Sequence, residues 1–275
     1  MGEVWQARHT TLDTRLAIKL VVADGADATT RLLVEAKAAA SIVSPFVVRI
    51  FDHGQEGKLA FIAMELMVGE TLAQRLKQQG RLSPGETATL LRHVAQGIAQ
   101  AHSLGIVHRD LKPENVFIAR TEAGEIAKVL DFGIAKSQMS QGVMTQTGIV
   151  VGTPAYLSRE QVLGTRDVDL HADLWALCIV AYECLMGRLP YRASTMAELF
   201  AQIAGNAVER AATDPALVPG FGPFLLRATH PDTSLRFANA QEFSDGLWRA
   251  LLPHAPLPSW GAATGRSHRG LAGKS

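Results

Sequence analysis

The feature that most constrains how this 275-residue chain can fold is a change of apolar period at Gly69. Before it, short runs alternate as strands do; after it, apolar residues recur at helical spacing. Residues 3–8 and 15–22 read as neighbouring strands. In the second, Leu16, Ile18 and Leu20 alternate with Ala17, Lys19 and Val21. Residues 29–42 are rich in Ala and Leu, lack Gly and Pro, and predict a helix ending before Pro45. Residues 47–51 and 59–66 predict two more strands, with the turn signals Gly54 and Gly57 between them.

Beyond Gly69, Ser83-Pro84-x-Glu86 is a strong helix start: a Ser N-cap, Pro at the first helical position and Glu placed for a capping box. The helix it opens carries Leu90, Leu91, Val94, Ile98 and Ala101 at the helical period. Further helices are expected at 172–186, 195–204 and 240–251. Residues 253–275 mix Pro, Gly, Ser and basic residues without periodicity and read as a flexible tail. The outline is α+β: a small β-rich lobe over 1–67, then a larger helical lobe over 68–252, with no internal repeat.

Composition narrows the function classes. Lys and Arg total 27 against 26 Asp and Glu, so no broad field points to nucleic acid or an anionic membrane surface. The only cysteines, Cys178 and Cys184, fall in one apolar helical stretch, where buried thiols acting as small hydrophobes are expected; a cytoplasmic location follows. The opening residues are too polar for a secretory signal. The longest apolar run, 174–186, is interrupted by Glu183 and is shorter than the roughly 20 residues a membrane span needs.

The chemistry-bearing residues cluster after the long helix, in His108-Arg109-Asp110-Leu111-Lys112-Pro113-Glu114-Asn115. Phosphoryl transfer to a hydroxyl needs a carboxylate to orient the nucleophile and accept its proton, and Asp110 can serve. Lys112 can meet charge on a transferring phosphoryl group, and Asn115 offers an amide oxygen to Mg²⁺. Asp131-Phe132-Gly133 follows an apolar segment; Asp131 is a second, charged metal ligand and Gly133 allows a sharp turn.

These two motifs, in this order, resemble the protein kinase signature, and the Lys-Pro-Glu-Asn form resembles Ser/Thr rather than Tyr kinases. The resemblance covers nearly all of residues 2–252 and implies a two-lobed kinase-like fold, ATP and Mg²⁺ as cofactors, and Ser/Thr side chains of proteins as substrates. It implies that Lys19 meets the α/β-phosphates and that Glu35 pairs with it; alone, each would read as an ordinary solvated charge. By the same resemblance Met64 is the gatekeeper, and the backbone of Glu65 and Met67 faces adenine. Val4, Ala17 and Phe117 sandwich the ring. Thr153, in Gly152-Thr153-Pro154, belongs to the substrate-facing loop. Glu160 and Arg236 form a buried ion pair, and Asp173 holds the catalytic-loop backbone. Arg109 answers a phosphate on the activation loop, where Thr145 and Thr147 resemble the paired-threonine site of bacterial receptor-type kinases.

Three departures stand out. Ser158-Arg159-Glu160 replaces the usual Ala-Pro-Glu, and Cys178 replaces a usual Gly. At the start, Gly2 matches only the third glycine of the Gly-rich loop, so the first strand and half of the phosphate lid are expected to be missing. Two further readings of the same pattern are an inactive kinase fragment or pseudokinase-like scaffold, and a small-molecule phosphotransferase of related fold. Retention of Lys19, Glu35, Asp110, Asn115 and Asp131 speaks against the first, and the Lys-Pro-Glu-Asn form against the second.

Overall fold

A computed structural model of the chain describes residues 3–11, 13–22, 36–57, 59–132, 154–165 and 168–260. Strands β1 (Glu3–Arg8), β2 (Arg15–Val22), β3 (Ile50–Glu56) and β4 (Leu59–Glu65) form an antiparallel sheet in the order β1-β2-β4-β3. Register places Val4 opposite Lys19, and Ala17 opposite Met64. Residues 36–40 are helical, inside the helix expected at 29–42; residues 23–35 are outside the described set.

β3 begins later than expected and runs on through Gly54. Val47 is diverted: it is buried, forms an isolated parallel bridge to Val129, and its neighbour Val48 donates to the Val129 carbonyl at 2.9 Å. Gly54 is a strand residue rather than a turn. It lies opposite Phe61, where a Cβ would approach the ring to 2.8 Å, so glycine lets that ring lie against the strand. Only Gly57, at φ 60°, makes the turn.

The larger lobe is not purely helical. β5 (Gly69–Thr71), β6 (Val116–Thr121) and β7 (Gly124–Val129) make a second antiparallel sheet, β5-β6-β7. Its helices are α1 (Leu72–Gln79), α2 (Pro84–Ser103), α3 (Arg159–Val162), α4 (Leu170–Met186), α5 (Met196–Ala204), α6 (Val208–Ala212), α7 (Phe221–Ala228) and α8 (Ala240–Leu251). The capping box at α2 is present: Ser83 Oγ accepts from the Glu86 N–H and the Glu86 carboxylate accepts from the Ser83 N–H. That carboxyl is held below its usual range, first by the Ser83 hydroxyl and then by the Ser83 amide. α4 starts earlier than expected because Asp169 caps it, accepting from the His171 N–H at 2.9 Å. It is buried on nearly every side, which explains why its sequence shows no polar stripe. Gly187 ends it at φ 65°, with a carbonyl of Gly80 2.5 Å from where a Cβ would sit.

Cys178 and Cys184 are buried on α4, and burial pushes both thiols well above their ordinary range, so the position usually occupied by Gly is filled by an inert apolar group. Trp175, Tyr182, Phe221 and Phe243 are the largest fully buried side chains of the core. The tail expected from 253 is docked over its described part: Arg92, on α2, donates to the Pro258 carbonyl at 2.5 Å and lies 5.2 Å over the Trp260 ring. Among the described residues, no helix is long and apolar enough to cross a membrane.

Candidate active site

The loop between α2 and β6 is held by one buried carboxylate. Asp173, on α4, accepts from the His108 N–H and the Arg109 N–H, each at 2.8 Å, and from His102 Nε2 at 2.8 Å. These bonds fix Arg109 at φ 63°, a left-handed conformation that a non-glycine residue holds only where its surroundings over-determine it. Gln161 Nε2 adds a bond to the Arg109 carbonyl at 3.1 Å. His108 Nδ1 accepts from the Asp110 N–H at 3.2 Å, so Nε2 carries the proton and donates to the Leu130 carbonyl at 2.9 Å. One ring thereby links the loop to the strand end that carries Asp131. Phe132 is buried, its ring 4.8 Å from that of His108.

On this loop the predicted residues converge. Lys112 Nζ lies 3.2 Å from Asp110 Oδ2. Asn115 Nδ2 donates to the Asp110 carbonyl at 2.8 Å and approaches Oδ2 at 3.3 Å. With its amide N–H₂ so engaged, the Asn115 side chain turns its oxygen to other partners. The Leu130 N–H donates to the Asn115 carbonyl at 2.8 Å, setting Asn115 and Asp131 at the adjoining ends of β6 and β7. From the small sheet, Lys19 Nζ reaches Asp131 Oδ2 at 2.6 Å across 112 residues of sequence. Asp131 itself sits at φ 38° with an exposed side chain.

Around the predicted adenine position, Ala17 is buried, Met64, Met67 and Phe117 are half-buried, and Val4 is exposed on the edge strand. The Glu65 N–H donates to the Arg49 carbonyl at 2.9 Å, and its carboxylate takes Lys128 Nζ at 2.7 Å and accepts from the Arg49 N–H at 2.8 Å. Arg109 donates to the Val168 carbonyl at 3.2 Å. Gly2, Glu35, Gly133, Thr145, Thr147 and Thr153 lie outside the described residues.

The Glu160–Arg236 pair expected from the sequence is present, with two parallel bonds at 2.9 and 3.0 Å. Ser158 makes good the changed tripeptide before it: buried, it caps α3 by accepting from the Gln161 N–H, while Gln161 accepts from the Ser158 N–H. His102 and Gln161 were not foreseen as contributors. Both are ordinary polar helix residues in sequence, and neither partner is close along the chain.

Beside the loop, Tyr156 donates its hydroxyl to Glu183 Oε2 at 2.6 Å. Burial, then the Glu183 charge, keeps the phenol protonated. Burial also raises the Glu183 carboxyl above its ordinary range, against the Tyr156 bond and with the Glu114 charge. The folded state therefore binds more protons here than the unfolded one, and stability falls as pH rises from the usual carboxylate range through the raised folded value. Glu183→Gln keeps an acceptor for Tyr156 without a buried charge. It is expected to flatten that slope and to unfold at a higher urea concentration than the parent at pH 7; a midpoint below the parent's at pH 7 would count against the assignment.

A family model described as "Protein kinase domain" matches residues 1–242. The serine/threonine-protein kinase pkn2 of Myxococcus xanthus is 38% identical over 255 residues, covering 90% of this chain and 30% of the relative. PknD of Mycobacterium tuberculosis is 36% identical over 229 residues, 82% of this chain and 33% of the relative. Pkn1 of M. xanthus is 35% identical over 259 residues, 92% and 37% respectively. The chain thus spans about a third of the length of these relatives.

Proposed function

Because the chain belongs to the protein kinase domain family, we propose that it transfers the γ-phosphoryl group of ATP to Ser or Thr hydroxyls of proteins. Three similar proteins named as serine/threonine-protein kinases support the choice of hydroxyl. The observation that carries the assignment is the contact of Asp110 with both Lys112 and Asn115 on one tethered loop.

Asp110 orients the acceptor hydroxyl and takes its proton. Lys112 stands two residues on to meet the charge of the transferring group. Asn115 and Asp131 would hold the divalent cation, taken here as Mg²⁺: both offer hard oxygen ligands, and few protein ligands suit an ion that keeps water and phosphate oxygens. When bound, that cation neutralises charge on the phosphate oxygens. Lys19 binds the α/β-phosphates and Glu35 pairs with it; the Lys19–Asp131 bond keeps the ammonium at this site. Ala17, Met64 and Phe117, with Val4 and Gly2 at the sheet edge, enclose adenine, and the backbones of Glu65 and Met67 meet its edge. Thr153 serves the substrate-facing loop. Arg109 receives a phosphate placed on Thr145 or Thr147, so that autophosphorylation orders the segment between Asp131 and Glu160. The lobes divide at 67/68, and the site works in the cytoplasm.

The test is incubation with γ-labelled ATP, Mg²⁺ and matched peptides bearing Ser, Thr or Tyr. Label is expected on Ser and Thr peptides, with ADP formed in step, and mass spectrometry of the kinase is expected to find phosphate on Thr145 or Thr147. ATP hydrolysis without a labelled hydroxyl would overturn the assignment.

A further inference from the structure

The half-buried side chain of Gln161 is bonded at both ends of its amide, and the two bonds lead to different parts of the molecule. Its Oε1 accepts from the Ser158 N–H at 2.9 Å, closing the capping box that starts α3. Its Nε2 donates to the Arg109 carbonyl at 3.1 Å, 52 residues away in sequence. These partners fix which way the amide points: a backbone N–H must meet the oxygen, and a backbone carbonyl must meet the N–H₂. A carboxylate at this position could cap α3 equally well, but it has no proton to offer the carbonyl. The cap alone therefore does not call for glutamine; the bond to the loop does.

The Arg109 carbonyl belongs to the peptide unit that enters Asp110. The far end of the same unit, the Asp110 N–H, donates to His108 Nδ1 at 3.2 Å. A planar peptide pinned at its oxygen and at its N–H cannot rotate, and its plane sets the direction in which the Asp110 side chain leaves the backbone. Asp173 holds the preceding unit through the Arg109 N–H at 2.8 Å, so each side of the left-handed residue has its own anchor. Gln161 reaches across from a fixed base. On the same short helix Glu160 pairs with Arg236, and Arg159 Nε donates to the Ala204 carbonyl at the end of α5 at 2.9 Å.

We propose that Gln161 is a positioning residue for Asp110: by holding the Arg109 carbonyl it fixes the peptide plane from which the Asp110 carboxylate is aimed. Gln161 touches no reacting group and acts only through the backbone of the loop. Its effect belongs to the chemical step, where a small misplacement of a reacting group is costly, and not to nucleotide binding. The kinetic part of the inference rests on the phosphotransfer reading above; the part that concerns the peptide plane does not.

The test compares the full chain with Gln161→Glu, which keeps an oxygen for the Ser158 N–H and sets a second one against the Arg109 carbonyl. Ser158→Ala is the control: it removes the hydroxyl that caps α3 at 3.4 Å and leaves the bond to the loop. Thermal unfolding shows whether each variant folds. In Gln161→Glu, kcat for a Ser peptide is expected to fall about tenfold, the size of one lost hydrogen bond, with KM for ATP within about twofold of the parent. Ser158→Ala should keep the parent kcat. On an Asp110→Asn background the same Gln161→Glu change should cost less than about twofold, because no base is left to aim. Hydrogen exchange read by mass spectrometry should quicken about tenfold over residues 108–112 in Gln161→Glu and stay at the parent rate in Ser158→Ala. A parent that labels no peptide would defeat the phosphotransfer reading, and exchange over 108–112 would still decide whether Gln161 holds the loop. Unchanged exchange or unchanged kcat in Gln161→Glu would overturn the proposal. So would a Ser158→Ala variant that loses as much as Gln161→Glu, since the glutamine would then serve the cap alone.

Discussion

Asp110→Asn is expected to lower kcat by about 10²–10⁴-fold, the range that a positioned general base contributes. The substitution keeps the shape of the side chain. It also keeps one oxygen that can face Lys112 or Asn115, which lie 3.2 and 3.3 Å from Oδ2 in the parent. The Asp110 backbone contacts, its N–H to His108 and its carbonyl from Asn115, do not depend on the side chain. The loop should therefore stay in place and the loss should fall on the chemical step: kcat and kcat/KM drop together, and KM for ATP stays within a few-fold of the parent. Steady-state kinetics against a Ser peptide, with a thermal melt to show equal folding, measure this. A variant that labels peptide as fast as the parent would remove Asp110 from the mechanism.

Glu160→Ala carries the largest expected loss of stability. Arg236 has a side chain only 1% exposed, sandwiched between the Glu160 carboxylate, the His230 carbonyl at 2.7 Å and the Trp175 ring at 5.1 Å. Removing the carboxylate leaves that guanidinium buried without its paired carboxylate, and such losses amount to about 3–5 kcal/mol. Set against the roughly 5–15 kcal/mol that holds a domain folded, this is a large fraction of the whole. Urea unfolding should show the midpoint falling steeply. Glu160→Ala/Arg236→Met, which removes both charges, should recover much of the loss, because an apolar pair has no stranded ion. If the single variant unfolds within about 1 kcal/mol of the parent, the pair is solvated in solution and does not anchor the segment.

What the sequence revealed and what it hid divide along range. Residues 108–115 are contiguous, and their chemical types alone suggest a base, a cation and a metal ligand; the described geometry brings Asp110, Lys112 and Asn115 into contact as that spacing implied. The Glu160–Arg236 and Asp173 contacts were also legible, through a resemblance to known proteins rather than through any local pattern. The Lys19–Asp131 bond was hidden because Lys19 alone reads as a solvated charge and 112 residues of sequence separate it from Asp131. Among the elements, α7 escaped notice because Gly222 and Pro223 look like breakers. A proline in the first turn of a helix, however, gives up an N–H that would be unbonded anyway. The β5-β6-β7 sheet leaves a weak trace for a different reason: β5 has three residues and β6 and β7 six each, and apolar runs that short fit a strand or a buried turn of helix equally well.

The tether on Asp173 has a further consequence for how this molecule would respond to heat. One carboxylate on the deepest helix of the large lobe accepts from the two backbone amides that precede Asp110 and from a histidine on the long helix α2. Those amides cannot open to solvent until α4 separates from its neighbours, so the strained turn at Arg109 and the aromatic interior around Trp175 belong to a single cooperative unit. The four-stranded sheet, with its exposed edge strand β1, can fray below that threshold. On warming, the nucleotide contacts proposed for the sheet would loosen first, while the loop that carries Asp110 kept its geometry up to the melting of the large lobe.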